Sequence, residues 1–255
     1  MKKIIKYVLV DILRSKVVSF YALFLFLVSF GVFQLDESSS KGLLSLLNLI
    51  LFIVPLVALL FTTIYLYNSA EFIELLVSQP IKRKAIWLSL YFGIAGSLTL
   101  SFLLGTALPI LIYCNNAIGY TLIIAGCLLT FAFVSIAFLA AVYTRDKAKG
   151  IGAAIYLWLY FALLFDGLIL FLLFQLEEYP LEKIMVLLSS FNPIDLSRIL
   201  ILLKMDVSVL MGYTGAVFKD YFGTTLGLFT ALLVQVLWSV IPFLLSLKKF
   251  NSKDL

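Results

Sequence analysis

Histidine is absent from the 255 residues. Its absence removes the commonest side-chain general base and metal ligand, and with it Ser-His triads, His-bearing zinc protease motifs and His-ligated haem. Cysteine occurs twice, as Cys114 and Cys127, too few for a disulfide framework or a Cys-rich metal site. No GxxxxGKS or GxxxxGKT string is present, so the chain by itself lacks the phosphate-cradling loop of a nucleotide hydrolase. Charge is scarce too: 13% of the residues are Asp, Glu, Lys or Arg, against roughly 25% in a soluble domain.

What fills the chain is apolar. Hydrophobic residues make up 63%, with 23 Phe and 13 Tyr, and the mean hydropathy is +1.12. A chain of this composition cannot hide its apolar surface from water and reads as an integral membrane protein, all-α because helices satisfy every backbone polar group internally. A bilayer core about 30 Å thick takes about 20 apolar helical residues to cross. Six stretches have that length: Val17 to Leu35, Leu43 to Tyr67, Ile86 to Cys114, Tyr120 to Tyr143, Ile151 to Leu176 and Thr225 to Leu247. Together they form a single transmembrane domain over residues 1–255. The first stretch reads as a retained span, since no small-x-small cleavage site follows it.

The few charges orient these spans. Fourteen of the nineteen basic residues fall before span one, between spans two and three, between spans four and five, and after span six. The positive-inside rule puts that side, and both termini, in the cytoplasm. Counting acidic residues as well, the inner side carries a net +9 and the outer side −3. The overall basicity therefore reports orientation, and no nucleic-acid partner is expected. The expected location is the cytoplasmic (inner) membrane of a bacterium.

Three pieces outside the spans carry pattern. In KKIIKYVLVDILRSK, Ile4, Ile5, Val8, Leu9, Ile12 and Leu13 form an apolar face opposite Lys2, Lys6 and Arg14, which predicts an amphipathic helix lying in the cytoplasmic interface. A plain positively charged anchor explains the same charges. In NSAEFIELLVSQPIKRK, Asn68 and Glu71 have capping-box spacing, Phe72, Leu75 and Leu76 share one helical face, and Glu71, Glu74 and Ser78 point away from it. Pro80 stops the helix after Gln79, and the basic cluster Lys82, Arg83 and Lys84 follows. Such a helix wants a membrane surface or a groove in a partner.

The third piece is the external segment 177–223. Its residues Leu181, Ile184, Met185, Leu187 and Leu188 follow helical spacing, and a second helix starts at FNPIDLSRILILLKM. There Asn192 is the cap, Pro193 the first helical residue and Asp195 a first-turn acid. This second helix is expected to pack on the bundle rim or lie in the outer interface. Met185, Met205 and Met211 are external as well, but three thioethers without His or Cys at fixed spacing read as packing residues, and no metal site is expected.

Inside the spans the one carboxylate is Asp166, where an isolated charge costs on the order of 3 kcal/mol. No Lys or Arg lies at similar depth in another span, so an ion pair is not expected. The alternatives are a carboxylate lining a cavity or transport path, one hydrogen-bonded to a Ser, Thr or Tyr hydroxyl, and one lying closer to the outer interface. Small residues in span three (Gly93, Gly96, Ser97) and span five (Gly152, Ala153, Ala154) permit close helix contact, and Pro55, Pro109 and Pro242 are expected to kink their spans.

Six spans, an amino-terminal helix, a framed helix between spans two and three, and an external segment before span six together resemble the type-2 ABC exporter permeases. The loop ELLVSQPIKRKAIWLSLYFG looks like that family's coupling-helix region. That loop and FNPIDLSRILILL are similar to the permease that serves copper-site assembly of nitrous-oxide reductase. The resemblance implies a non-catalytic subunit that binds no cofactor itself. It implies a second copy of the chain, with ATP and Mg on a separate cytoplasmic ATPase. The helix around Asn68, Glu71, Phe72, Glu74, Leu75, Leu76, Gln79 and Pro80 would receive the ATPase. A periplasmic copper-handling protein would meet Asn192, Pro193, Asp195 and Arg198. The alternative within the same family is an exporter of a lipid, drug or other hydrophobic substrate.

Overall fold

The computed structural model describes residues 2–35, 39–175, 187–205 and 225–252, and every described element is a helix. Six helices are long and apolar enough to cross a membrane: Lys16–Leu35, Gly42–Asn68, Arg83–Tyr113, Ala117–Tyr143, Lys147–Leu172 and Gly227–Asn251. They are built from α2 (Lys16–Leu35), α3 (Ser39–Asn68), α5 (Arg83–Phe102) with α6 (Leu108–Tyr113), α7 (Ala117–Tyr143), α8 (Lys147–Leu159) with α9 (Phe165–Gln175), and α11 (Thr225–Asn251). Three shorter helices complete the described chain: α1 (Lys2–Leu13), α4 (Ala70–Val77) and α10 (Pro193–Lys204).

The spans are unequally wrapped. Span four is 67% buried and packs on α3, α5, α10 and α11, whereas span five is only 11% buried. Leu122, Leu129, Phe133 and Phe138 of α7 and Ile94, Leu98 and Phe102 of α5 are all buried in one core. The approach is close because α7 has Gly126 where a Cβ would overlap the Phe102 ring. Hydroxyls in this apolar interior fold back on their own helix: Ser89, Ser97, Ser101 and Thr106 each donate to the carbonyl four residues earlier.

Span three is interrupted by a π-helical turn at Leu103–Ala107, just before Pro109. A proline ring clashes with the carbonyl four residues back, here Gly105, and a wider turn relieves that clash. Gly105 also receives α2, whose Leu25 would strike any side chain there. Pro55 and Pro242, by contrast, lie inside continuous helices.

The amino-terminal helix packs its apolar face on α5. Val8 and Ile12 of α1 are fully buried, and a Cβ at Gly93 of α5 would come within 2.6 Å of Val8. Ser97 donates to the Leu9 carbonyl (3.3 Å), a crossing that the small residues of span three permit. Lys2, Lys3, Lys6, Tyr7, Val10 and Arg14 stay exposed. Gly152 of span five, expected to make a similar contact, faces open space.

Candidate functional site

At the end of the bundle that carries the basic loops, α4 sits across the ends of the spans. Its apolar face differs from the expected one. Ile73 and Leu76 are buried, Phe72 is half-buried against Tyr7 of α1 (ring centroids 5.4 Å apart), and Leu75 is 64% exposed beside Glu71 and Glu74. The helix also starts later than its capping-box spacing predicts. Asn68 is the last residue of α3, not the cap of α4, and its Oδ1 accepts from Lys147 Nζ (2.7 Å). Ser69 takes the cap position without a side-chain bond. At the other end Ser78 Oγ donates to the Leu75 carbonyl (2.9 Å), and helix geometry ceases before Gln79 and Pro80.

The scaffold beneath α4 is stiff. Tyr67, at the end of α3, shares a 2.6 Å hydrogen bond with Thr144 Oγ1 in the α7–α8 turn. Trp87 of α5 donates to Ser246 Oγ of α11 (3.0 Å), stacks on Phe250 at 4.1 Å and meets Phe138 edge-on at 4.8 Å. A cavity of about 260 Å³ separates α4 from this cluster, lined by Ile73, Glu74, Trp87, Thr144, Arg145 and Phe250. Of the basic cluster, Lys82 caps α5, Lys82 and Lys84 are exposed, and Arg83 is half-buried. None of the bracing residues Tyr67, Thr144, Trp87 and Ser246 stood out in the sequence. The signal was an indole and hydroxyls at the ends of otherwise apolar helices.

At the opposite end α10 inserts into the bundle instead of lying on its rim, packing against α3, α7, α11 and the π-helical turn Tyr160–Leu164 of span five. Asn192 holds its start. The Oδ1 accepts from the Ile194 amide (2.9 Å), while Nδ2 donates to the Phe161 carbonyl (2.9 Å), which the π-helical turn presents. Trp238 donates to the Ser190 carbonyl (3.0 Å) and Gln235 to Ser197 Oγ (3.1 Å), tying the segment to span six.

Asp166, expected to lack an ion partner, has one. Arg198 of α10 lies 2.8 Å from Asp166 and 3.4 Å from Asp195. Sequence depth alone missed this because the cation arrives from an inserted segment, not from a span. Burial raises the Asp195 carboxyl to about 8, with the nearby Asp166 charge adding to the rise and Arg198 opposing it. The guanidinium thus faces two carboxyls, of which Asp195 is the one that burial pushes toward its protonated form.

Of the residues expected at an external partner, Asn192, Pro193 and Asp195 are buried at the start of α10, and Arg198, about a third exposed, is held by two carboxyls. Leu181, Ile184, Met185 and Met211 lie outside the described residues, and Met205 is the half-buried cap at the end of α10. Among the described residues, no cluster of three or more Cys, Asp or Glu could hold a metal ion.

No protein-family profile matches the chain. It is 28% identical over 180 residues to a Pseudomonas aeruginosa protein named probable ABC transporter permease protein NosY, an alignment covering 66% of each chain. It is 27% identical over 168 residues to a Stutzerimonas stutzeri protein of the same name, covering 61% of each. The chain thus spans just under two thirds of the length of the relatives it matches. With six apolar spans and this likeness, the chain is a multi-pass membrane protein that resembles the ABC transporter permeases named NosY.

Proposed function

We propose that the chain is the non-catalytic membrane subunit of an ABC transporter, and that α4 is where a separate cytoplasmic ATPase docks. One observation carries the reading: Leu75 is a large apolar side chain held out toward water beside Glu71 and Glu74, on a helix whose other face is packed. An exposed leucine on a braced helix suits a partner's groove. The bracing through Phe72, Tyr67 and Trp87 gives motion of the docked subunit a path into α1, α3, α5, α7 and α11. In this reading both termini are cytoplasmic and the membrane is the bacterial inner membrane. ATP and Mg belong to the ATPase, and two copies of the chain pair in the membrane. The sparse packing of span five, which leaves Tyr156, Leu163, Leu164 and Phe171 exposed, supports such pairing.

The finer reading, that ATP-driven motion serves copper-site assembly of nitrous-oxide reductase through a periplasmic copper-handling partner, rests on the NosY likeness. Deleting the gene tests it: the reductase made without this chain is expected to lack copper at its catalytic site, and a fully metallated enzyme would contradict the role. Docking is tested by purifying the tagged chain together with the ATPase encoded beside it. Stoichiometric recovery is expected, and recovery of the chain alone would sink the assignment.

A further inference from the structure

A groove of about 760 Å³ runs between the α1–α2 junction and the last three turns of α3. It lies where spans one and two end, since Lys16 opens the first and Asn68 closes the second. Exposed apolar surface is ordinary on a span, but this groove is graded. Leu56, Leu60, Phe61 and Ile64 line its deep part, while Asp11, Arg14 and Asn68 line its rim. From Leu56 to Asn68 the helix rises about 18 Å, enough to hold a stretch of acyl chain with a headgroup above it.

The rim carries both signs. The exposed Arg14 guanidinium has no acidic partner among the described residues, and the Asp11 carboxylate accepts one hydrogen bond, from Tyr65 (3.0 Å), leaving its other oxygen open. Lys147 reaches the same rim through Asn68 (2.7 Å). A purely anionic headgroup would meet Asp11 unfavourably, whereas a zwitterionic headgroup can set its phosphate on Arg14 and its ammonium on Asp11.

We propose that this groove binds one phospholipid with a primary-ammonium headgroup, phosphatidylethanolamine by chemistry, with an acyl chain along Leu60, Phe61 and Ile64. The lipid would fill the space that α1 and α2 leave beside α3 and so hold the amino-terminal helix in place against α5.

Native mass spectrometry of the full chain, purified and then mixed with phosphatidylethanolamine or phosphatidylglycerol, tests the site. Wild type is expected to retain one phosphatidylethanolamine per chain, at least fivefold more than phosphatidylglycerol. Arg14→Gln, Asp11→Asn and the groove-filling Leu60→Trp are each expected to lower that retention at least fivefold. The first two change exposed side chains, so a folding failure of Leu60→Trp leaves the test intact. Equal retention by wild type and the surface variants would overturn the proposal, as would a preference for phosphatidylglycerol. A high yield of disulfide between copies through Ile64→Cys would also overturn it, by showing that a second chain fills the groove.

Discussion

The two ends of the bundle handle a short amphipathic helix in opposite ways. At the basic end α4 packs Ile73 and Leu76 inward and leaves Leu75 with two glutamates facing water. At the other end α10 turns its polar residues inward: Asn192, Asp195, Ser197 and Arg198 bond to spans five and six, and Ile194, Leu196 and Ile199 are buried around them. Both helices have a polar and an apolar side, and composition does not separate them. What separates them is whether neighbouring spans supply partners for the polar groups. Span five does so through Asp166 and the open turn at Phe161, whereas Leu75 is left largely exposed among the described residues. A helix satisfied from within reads as structure; on α4 the exposed Leu75 is what supports the proposed docking role.

This contrast yields a ranked set of expectations. The largest concerns α10. Arg198→Ala would leave Asp166 and Asp195 without their cation and is expected to cost on the order of 2 kcal/mol. That is less than the roughly 3–5 kcal/mol of a fully buried pair because Arg198 and Asp166 are about a third exposed. Chemical unfolding in micelles measures it, and no loss would mean that the cluster does not hold α10.

Next comes the shared core on which both ends rest. Gly126→Val would press into the Phe102 ring and is expected to lower stability by about 1–3 kcal/mol in the same assay. At the basic end, Trp87→Phe keeps the stacking on Phe250 but removes the hydrogen bond to Ser246, with an expected cost of about 1 kcal/mol. A larger loss would mean that the indole ties α5 to α11 by more than this bond.

The cluster around Arg198 also sets a pH dependence. The folded Asp195 carboxyl titrates near 8, above the ordinary value of 3.8, so the folded state binds a proton that the unfolded state releases earlier. Stability from this group is complete below the ordinary value and is lost as pH rises through about 8. Stability from this group is therefore expected to fall between about pH 4 and 8 in wild type and to fall less in Asp195→Asn. An identical pH profile in the two would contradict the assignment.

Much of the architecture was legible in the residues, because a bilayer enforces its rule over some 20 residues at a time. Six apolar runs could form little else, and the closing helix at Asn192-Pro193 carried its cap in its sequence. The sites were less legible, for local reasons. Asn68 and Glu71 had the spacing of a cap, yet α3 continues through Asn68 and Ser69 takes the cap position, while the packing of α4 on its neighbours decides which residues it buries. The buried face moved from Phe72, Leu75 and Leu76 to Ile73 and Leu76. Asp166 and Arg198 are 32 residues apart, so no helical spacing announced their pair. The usable sign was in α10 itself, where Asp195 and Arg198 sit one turn apart in an apolar run, a pattern that suits a polar seam between helices better than an outer rim.

On α4, Leu75 is presented and Leu76 is packed. The most direct measurement is the amount of ATPase subunit retained by a tagged Leu75→Glu chain, with its unfolding midpoint recorded alongside. An unchanged midpoint with ATPase retention reduced tenfold or more is the expected result. An unchanged midpoint with full retention would show that α4 does not receive the ATPase.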